Sequence, residues 1–306
     1  MSSAHCQCID REALRRTVTA ASGALRVGFA RAESVDAESR DIYLRWVADG
    51  RHGEMSYLER YQDVRDDPRL LLDGAATVIS CAFDYRQPRR HPLFADYALG
   101  RDYHEVVRER LTAAAEAITA TYGGQTRVCV DTAPIRERYW AARTGIGRIG
   151  LNNQLIVDGV GSQVFLGEII WTVAVEPDPA AEGHGCGDCR ACVRACPAGA
   201  LDGCGSIDAR RCLSYLTIEY RGELPRPLPR GGRIYGCDIC QAVCPRCVPA
   251  ADSNPIADLA ARPSVMSLDR EAIAAMTQED FSRIFTHSAV KRTKLAGLKR
   301  NLQAGE

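Results

Sequence analysis

Apolar positions along this chain switch between two periods. Residues 10–22 carry the three-to-four-residue spacing of a helix, and Leu25 to Ala30 reads as a strand. Residues 35–62 read as two helices broken at Gly50 to Gly53. Ala75-Ala-Thr-Val-Ile-Ser-Cys-Ala-Phe83 is an apolar, β-branched run of the kind a buried strand needs. An amphipathic helix is predicted over 103–122, ended by Gly123-Gly124. Arg127 to Val130 is a short strand that leads to Asp131, and Pro134 suits the first position of a helix running through Arg143. Residues 154–158 and 163–175 read as strands.

Helices alternating with strands predict an α/β layer domain over residues 1–178. Pro177 to Gly185, rich in Pro, Gly and acids, reads as a linker. A cysteine-rich domain is expected over 179–255, and short helices with a basic tail over 256–306. The expected fold class is therefore α+β, with the α/β domain first and a ferredoxin-like domain after it.

Composition removes some function classes. The 306 residues hold 39 basic and 39 acidic side chains, so no global charge draws the chain to nucleic acid, and such binding must use local patches. No apolar stretch reaches the ~18 residues of a transmembrane helix, and the start lacks a secretion signal. Fourteen cysteines in such a chain point to metal or redox ligation in a reducing cytoplasm.

Most of that chemistry sits in one run, Cys186-Gly-Asp-Cys189-Arg-Ala-Cys192-Val-Arg-Ala-Cys196-Pro197. This is the C-x2-C-x2-C-x3-C-P spacing of bacterial ferredoxins, where three cysteines hold one cubane and the fourth turns to another. A second run, Cys237-Asp-Ile-Cys240-Gln-Ala-Val-Cys244, follows. The spacing is overspecified for a four-cysteine zinc site, which needs only paired knuckles. Two 4Fe–4S clusters need eight thiolates and the runs supply seven. Cys204 and Cys212 are the nearby candidates. Cys204 sits in a glycine-rich turn, whereas Cys212 sits in a stretch that opens like a helix capped by Ser206, and a helix fixes a thiolate's direction better. Cys81 and Cys129 lie in apolar runs as small hydrophobes, Cys6 and Cys8 form an incidental pair, and Cys247 is left without a role.

Gly145-Ile-Gly147-Arg-Ile-Gly150 matches G-x-G-x-x-G, but a helix precedes it and a strand follows, the reverse of a dinucleotide site. Asp102-Tyr-His104 resembles the start of a cobalamin-ligating motif whose closing glycine is replaced by Val107; His104 otherwise reads as a polar residue near a helix start. Asp131 ends a buried strand, as a turn residue or as a general acid. Lys291, Arg292, Lys294, Lys299 and Arg300 lie on a predicted helix, as a solvated face or a phosphate-contacting strip. Arg86-Gln-Pro-Arg-Arg-His91 reads as a basic surface loop.

Taken together, these segments resemble epoxyqueuosine reductases over nearly the whole length. The resemblance rests on His52-Gly-Glu-Met-Ser-Tyr-Leu-Glu-Arg60, Tyr97 to His104, Asp131-Thr-Ala-Pro134, Gly147 to Asn152, Phe165-Leu-Gly-Glu168, both cysteine runs, Cys212 to Glu219 and Gly236 to Gln241. It implies a tRNA-modifying oxidoreductase of queuosine synthesis, with cobalamin bound between an α/β domain and a two-cluster domain. It implies one cluster on Cys186, Cys189, Cys192 and Cys244 and another on Cys196, Cys212, Cys237 and Cys240, with Asp131 as proton donor. Cobalamin contacts are expected from Tyr57, Asp131, Gly150, Asn152, Leu155, Leu166, Ser214 and Asp238, and tRNA contacts from the five cations between Lys291 and Arg300. An external donor such as a ferredoxin or flavodoxin, a monomer and no membrane complete the expectation. The chain departs from the family at Cys244-Pro-Arg246-Cys247, at Leu99 and at Leu151-Asn-Asn153. A reductive dehalogenase and a ferredoxin-type carrier are the alternatives; about 180 residues before the clusters are more than a carrier needs.

Overall fold

A computed structural model describes residues 9–225, 227–228, 232–248 and 256–305. Cys6 and Cys8 lie outside the described residues.

Helix α1 (Arg11–Ser22) starts at Asp10, whose carboxylate accepts the N–H groups of Glu12 and Ala13, and stops at Gly23 in the left-handed region. Strand β1 (Arg26–Arg31) follows, then α2 (Ala37–Ala48) and the short α3 (Gln62–Asp66). The second helix expected before residue 62 is only a 3-10 turn, Ser56–Leu58. Strand β2 (Thr77–Asp84) is buried at every position, as its unbroken apolar run requires. Helix α4 occupies the predicted span, Tyr103–Tyr122, and β3 (Thr126–Cys129) leads to Asp131. Helix α5 (Glu137–Arg143) begins later than expected: Pro134 lies in a bend before it, not in its first turn. Strands β4 (Arg148–Ile149) and β5 (Leu155–Ile156) form a small hairpin after it, so the glycine fingerprint is indeed preceded by a helix and followed by a strand. Strand β6 (Val164–Trp171) ends four residues short of the predicted limit.

The main sheet has the order β1-β2-β6-β3, and each neighbouring pair is antiparallel. Helices α1 and α4 cover one face through Leu14, Val18, Val107, Leu111 and Ile118. On the other face Trp140 and Ile135 pack on Val78 and Ile170.

In the cysteine-rich layer the helices are short: α6 (Ala191–Ala195), α7 (Leu213–Ile218) and α8 (Ile239–Ala242). The helix expected to start at Ser206 is not formed. Asp208 caps a 3-10 turn, Ala209–Arg211, and Cys212 stands at the N-terminal boundary of α7. Gly53 lets the Tyr215 ring of α7 approach: a Cβ there would lie 2.5 Å from its hydroxyl, which takes the Glu54 N–H at 2.8 Å. Helices α9 (Pro263–Met266), α10 (Arg270–Ala275), α11 (Gln278–Ile284) and α12 (Lys294–Gln303) share a core with Phe94, Leu99, Ile234 and Tyr235. The basic segment at 291–300 is thus part of a packed layer, split into a 3-10 turn and α12.

Candidate functional site

The chemistry converges where β3 ends. Asp131 adopts φ 46°, a left-handed conformation that costs an ordinary side chain about 1 kcal/mol or more. Two interactions hold it there. Its N–H donates to Glu137 Oε1 at 2.6 Å, and its Oδ2 pairs with His104 Nε2 at 2.8 Å. The other imidazole nitrogen pairs with Asp102 Oδ1 at 2.7 Å, and the ring stacks on Tyr103 at 4.0 Å. Burial works against a charged imidazole, but hydrogen bonds to Asp102 and Asp131 outweigh it and push His104 up to about 9. At neutral pH it is an imidazolium between two carboxylates. The sequence offered His104 as part of a cobalamin-type motif or as a polar helix-start residue; its pairing with Asp131 spans 27 residues of chain, which no local pattern encodes.

The sign of the resulting pH effect is fixed. A histidine raised in the folded state stabilises fully below its unfolded value of ~6.5, and that contribution is lost as pH rises through about 9. Thermal melting of the wild type is expected to fall more steeply between pH 7 and 9.5 than that of His104→Gln, as calorimetry across that window would record.

Behind Asp131 lie two more acids. Burial and the Asp131 charge push Glu137 up to about 8. Glu168, at 0% exposure, stands in β6 opposite Ser80 and Cys129, and burial together with Glu137 raises it well above the carboxylate range. Arg138 donates to the Asn153 carbonyl, and burial lowers its pKa.

That contact joins the acids to the 150–154 loop. Asn152 is 2% exposed; its Oδ1 accepts the Gln154 N–H, but its Nδ2 has no hydrogen-bond partner. A buried donor without a partner among the described residues fits a polar ligand such as a cobalamin side chain. Gly150 fits close backbone approach, since a Cβ there would lie 2.4 Å from Ile156 Cδ1. Tyr57, 43% exposed, lies under the Arg292 guanidinium at 5.9 Å and within the field of Asp131. Other expected contacts are placed differently. Leu155 is a core residue, 2% exposed, with Leu166 packed against its cluster. Asp238 is buried, accepts the Asp96 N–H at 2.8 Å and pairs with Arg233 at 3.2 Å. Ser214 lies in α7, partly exposed.

The cysteines of the two runs draw together with Cys212. Cys192 feels Cys186 and Cys189, and Cys244 feels Cys247 first and then Cys186. Cys237 feels Cys212, and Cys240 feels Cys237, Cys212 and Cys192. Burial first, then these neighbours, pushes Cys237 up to about 11. Cys196 accepts the Ala200 N–H at 3.3 Å. Among the described residues no three His, Cys, Asp or Glu groups close on a single ion; cubane ligands stand at the corners of a cluster instead. Cys204 is exposed, and Cys81 and Cys129 are buried, as expected. Cys247 packs under Gly161, where a Cβ would lie 2.5 Å from its Cα, and its sulfur accepts the Ser162 N–H at 3.4 Å.

Among the cations, Lys291 and Lys294 are exposed and Lys299 is partly so. Arg292 pairs with Glu219 at 2.6 Å. Arg300 is tied inward, donating to the carbonyls of Leu216, Tyr220 and Gly222.

A mixed α/β scaffold that carries a cluster of acids and a histidine, followed by a cysteine layer with ferredoxin spacing, defines an iron–sulfur oxidoreductase. Comparison with known proteins makes the class specific. Residues 65–132 match the family described as "Epoxyqueuosine reductase QueG, DUF1730", and residues 185–246 match the "4Fe-4S double cluster binding domain". An epoxyqueuosine reductase of Cellulophaga algicola is 35% identical, covering 97% of this chain and 97% of its own. A solved epoxyqueuosine reductase with an epoxyqueuosine-modified tRNA-Tyr stem loop aligns at TM-score 0.83 and 27% identity, over 96% of this chain and 80% of that one. A Bacillus subtilis structure, described with its catalytic loop swung out of the active site, aligns at TM-score 0.82 and 26% identity over the same shares. This chain belongs to the epoxyqueuosine reductase family.

Proposed function

We propose that the protein reduces epoxyqueuosine to queuosine at the wobble position of tRNA, with two 4Fe–4S clusters and cobalamin, acting as a monomer in the cytoplasm. The observation that carries this reading is the partly exposed Asp131–His104 pair in a chain of this family. Residues 1–178 would form the cobalamin-binding domain, 179–255 the ferredoxin-like domain, and 256–306 the C-terminal helices.

Removing the epoxide oxygen as water consumes two electrons and two protons. One-electron clusters deliver electrons singly, and cobalamin, when bound, supplies them as a pair to the reacting carbon. Cys186, Cys189, Cys192 and Cys244 would hold one cluster, and Cys196, Cys212, Cys237 and Cys240 the other, fed by a ferredoxin- or flavodoxin-like donor. The Asn152 amide, the Gly150 backbone and Tyr57 are best placed to hold cobalamin; Ser214 and Asp238 would meet it from the cysteine layer, and Leu155 and Leu166 would back it from the core.

Proton delivery belongs to this chain. The charged His104, 2.8 Å from Asp131, passes its proton through the Asp131 carboxyl to the ring oxygen as the C–O bond opens, giving a hydroxyl, and then takes up a second proton from water and passes it along the same path. The second proton then lets the hydroxyl leave as water, and Asp102 keeps the ring aligned. The modified base must leave the anticodon stack to reach Asp131. Lys291, Lys294 and Lys299 would neutralise backbone phosphates, while Arg292 and Arg300 hold the surface that presents them. Among the described residues no helix is long and apolar enough to cross a membrane.

Anaerobic incubation of reconstituted protein with reductant, cobalamin and epoxyqueuosine-containing tRNA is expected to give a nucleoside lighter by one oxygen on mass analysis. Unchanged nucleoside in the presence of loaded clusters would overturn the reading.

A further inference from the structure

Asp131 is a non-glycine residue in the left-handed region, with its side chain 48% exposed. Nothing in β3 requires that conformation, so something must hold it. The contact that reaches its backbone comes from Glu137, through a 2.6 Å bond between the Asp131 N–H and Oε1. We propose that Glu137 is a positioning residue for the proton donor: its carboxyl clamps the Asp131 backbone, holding the loop so that the Asp131 carboxyl meets His104. This goes beyond the assignment of Asp131 itself, and rests on the reading that Asp131 acts in the reaction.

The surroundings of Glu137 suit a clamp. Asp131 and His104 face it from the loop and from α4, Arg138 adjoins it on α5, and Glu168 and Cys129 lie beneath it in the sheet. Glu168 is fully buried with Ser80 as its polar neighbour and no cation beside it among the described residues, and burial favours its neutral form. A second carboxylate above it is opposed by Asp131 on the other side. Glu137 is therefore protonated at neutral pH, in line with its raised value of about 8. A neutral carboxyl still accepts the Asp131 N–H through its carbonyl oxygen, and it adds no charge that would expel the Asp131 side chain. The clamp is thus compatible with a donor that must present negative charge after each proton transfer.

His104 supplies a readout that needs neither clusters nor cobalamin loading to turn over. Its titration is raised by Asp131, so it reports whether the loop is in place. NMR titration of the imidazole in otherwise intact protein is expected to give about 9 in the wild type. In Glu137→Ala the loop is released, and the value should fall by one unit or more toward the ordinary ~6.5. Glu137→Gln, which keeps a neutral carbonyl acceptor of the same length, should retain the raised value. Should Glu137→Ala fail to fold, as judged by circular dichroism, Glu137→Asp replaces it; its carboxyl is one methylene too short to reach. An unmoved His104 titration in the Ala or Asp variant, or a Gln variant that falls as far as Ala, would overturn the clamp. Asp131→Asn keeps this test separate from the catalytic reading: loss of turnover there speaks for the donor, whatever the Glu137 variants do.

Discussion

Asp131→Asn is expected to lower turnover of epoxyqueuosine-containing tRNA by about 10²- to 10⁴-fold, the range of a lost general acid. The amide keeps the volume of the side chain and its backbone bond to Glu137, so the loop stays in place. What disappears is the carboxyl that hands the His104 proton on to the epoxide. Iron content, cobalamin binding and melting temperature should stay close to wild type, because Asp131 is half-exposed and packs in no core cluster. The check is single-turnover kinetics with pre-reduced protein, which separates chemistry from electron delivery. Wild-type rates in this variant would remove Asp131 from the mechanism, and His104 alone would then have to face the epoxide.

The second large effect is expected at Cys212. It lies outside both cysteine runs, yet neighbours Cys237 and Cys240. Cys212→Ala should bring iron from about eight atoms per chain to about four, with loss of one cluster's spectroscopic signal and of turnover. Cys204→Ala, which alters an exposed cysteine in a turn, should leave iron content unchanged. Iron analysis of the two purified variants decides between the candidates that the spacing left open. Full iron content in Cys212→Ala would reassign the eighth ligand.

The cysteine layer was legible as a double-cluster domain because the pattern that marks it is local: spacings of two and three residues announce such a domain whatever the rest of the chain does, and residues 185–246 match one. Long periodic elements were legible for a similar reason, and α4 fills its predicted span because a capping aspartate and a terminal glycine bound it. Short elements were not. Ser206 looked like a helix cap, but Asp208 holds the following turn, and the helix waits until after Cys212. Pro134 looked like a helix start, but the strained Asp131 intervenes and delays α5 to Glu137. The site itself was half legible. Asp131 stood out at the end of a buried strand, whereas His104, Glu137 and Glu168 gain their character from contacts that no local pattern encodes. The basic segment misled in a different way. Five cations in ten residues suggested one electrostatic strip, but Arg292 and Arg300 are turned to Glu219 and to backbone carbonyls.

Those inward bonds bear on the order in which the molecule can be built. Helix α7, which follows the Cys212 ligand, is held from α12: Asn301 donates to the carbonyls of Thr217 and Ile234 at 2.8 Å, and Arg300 grips the end of the same helix. Some eighty residues of chain separate the two partners. During vectorial synthesis the cysteines therefore emerge well before the helix that holds α7, the element next to Cys212. Delivery of iron and sulfide fits that interval, when the ligands are present but not yet sealed. Closure of α12 would then act as a ratchet on metallation, trapping a filled layer and slowing the escape of iron.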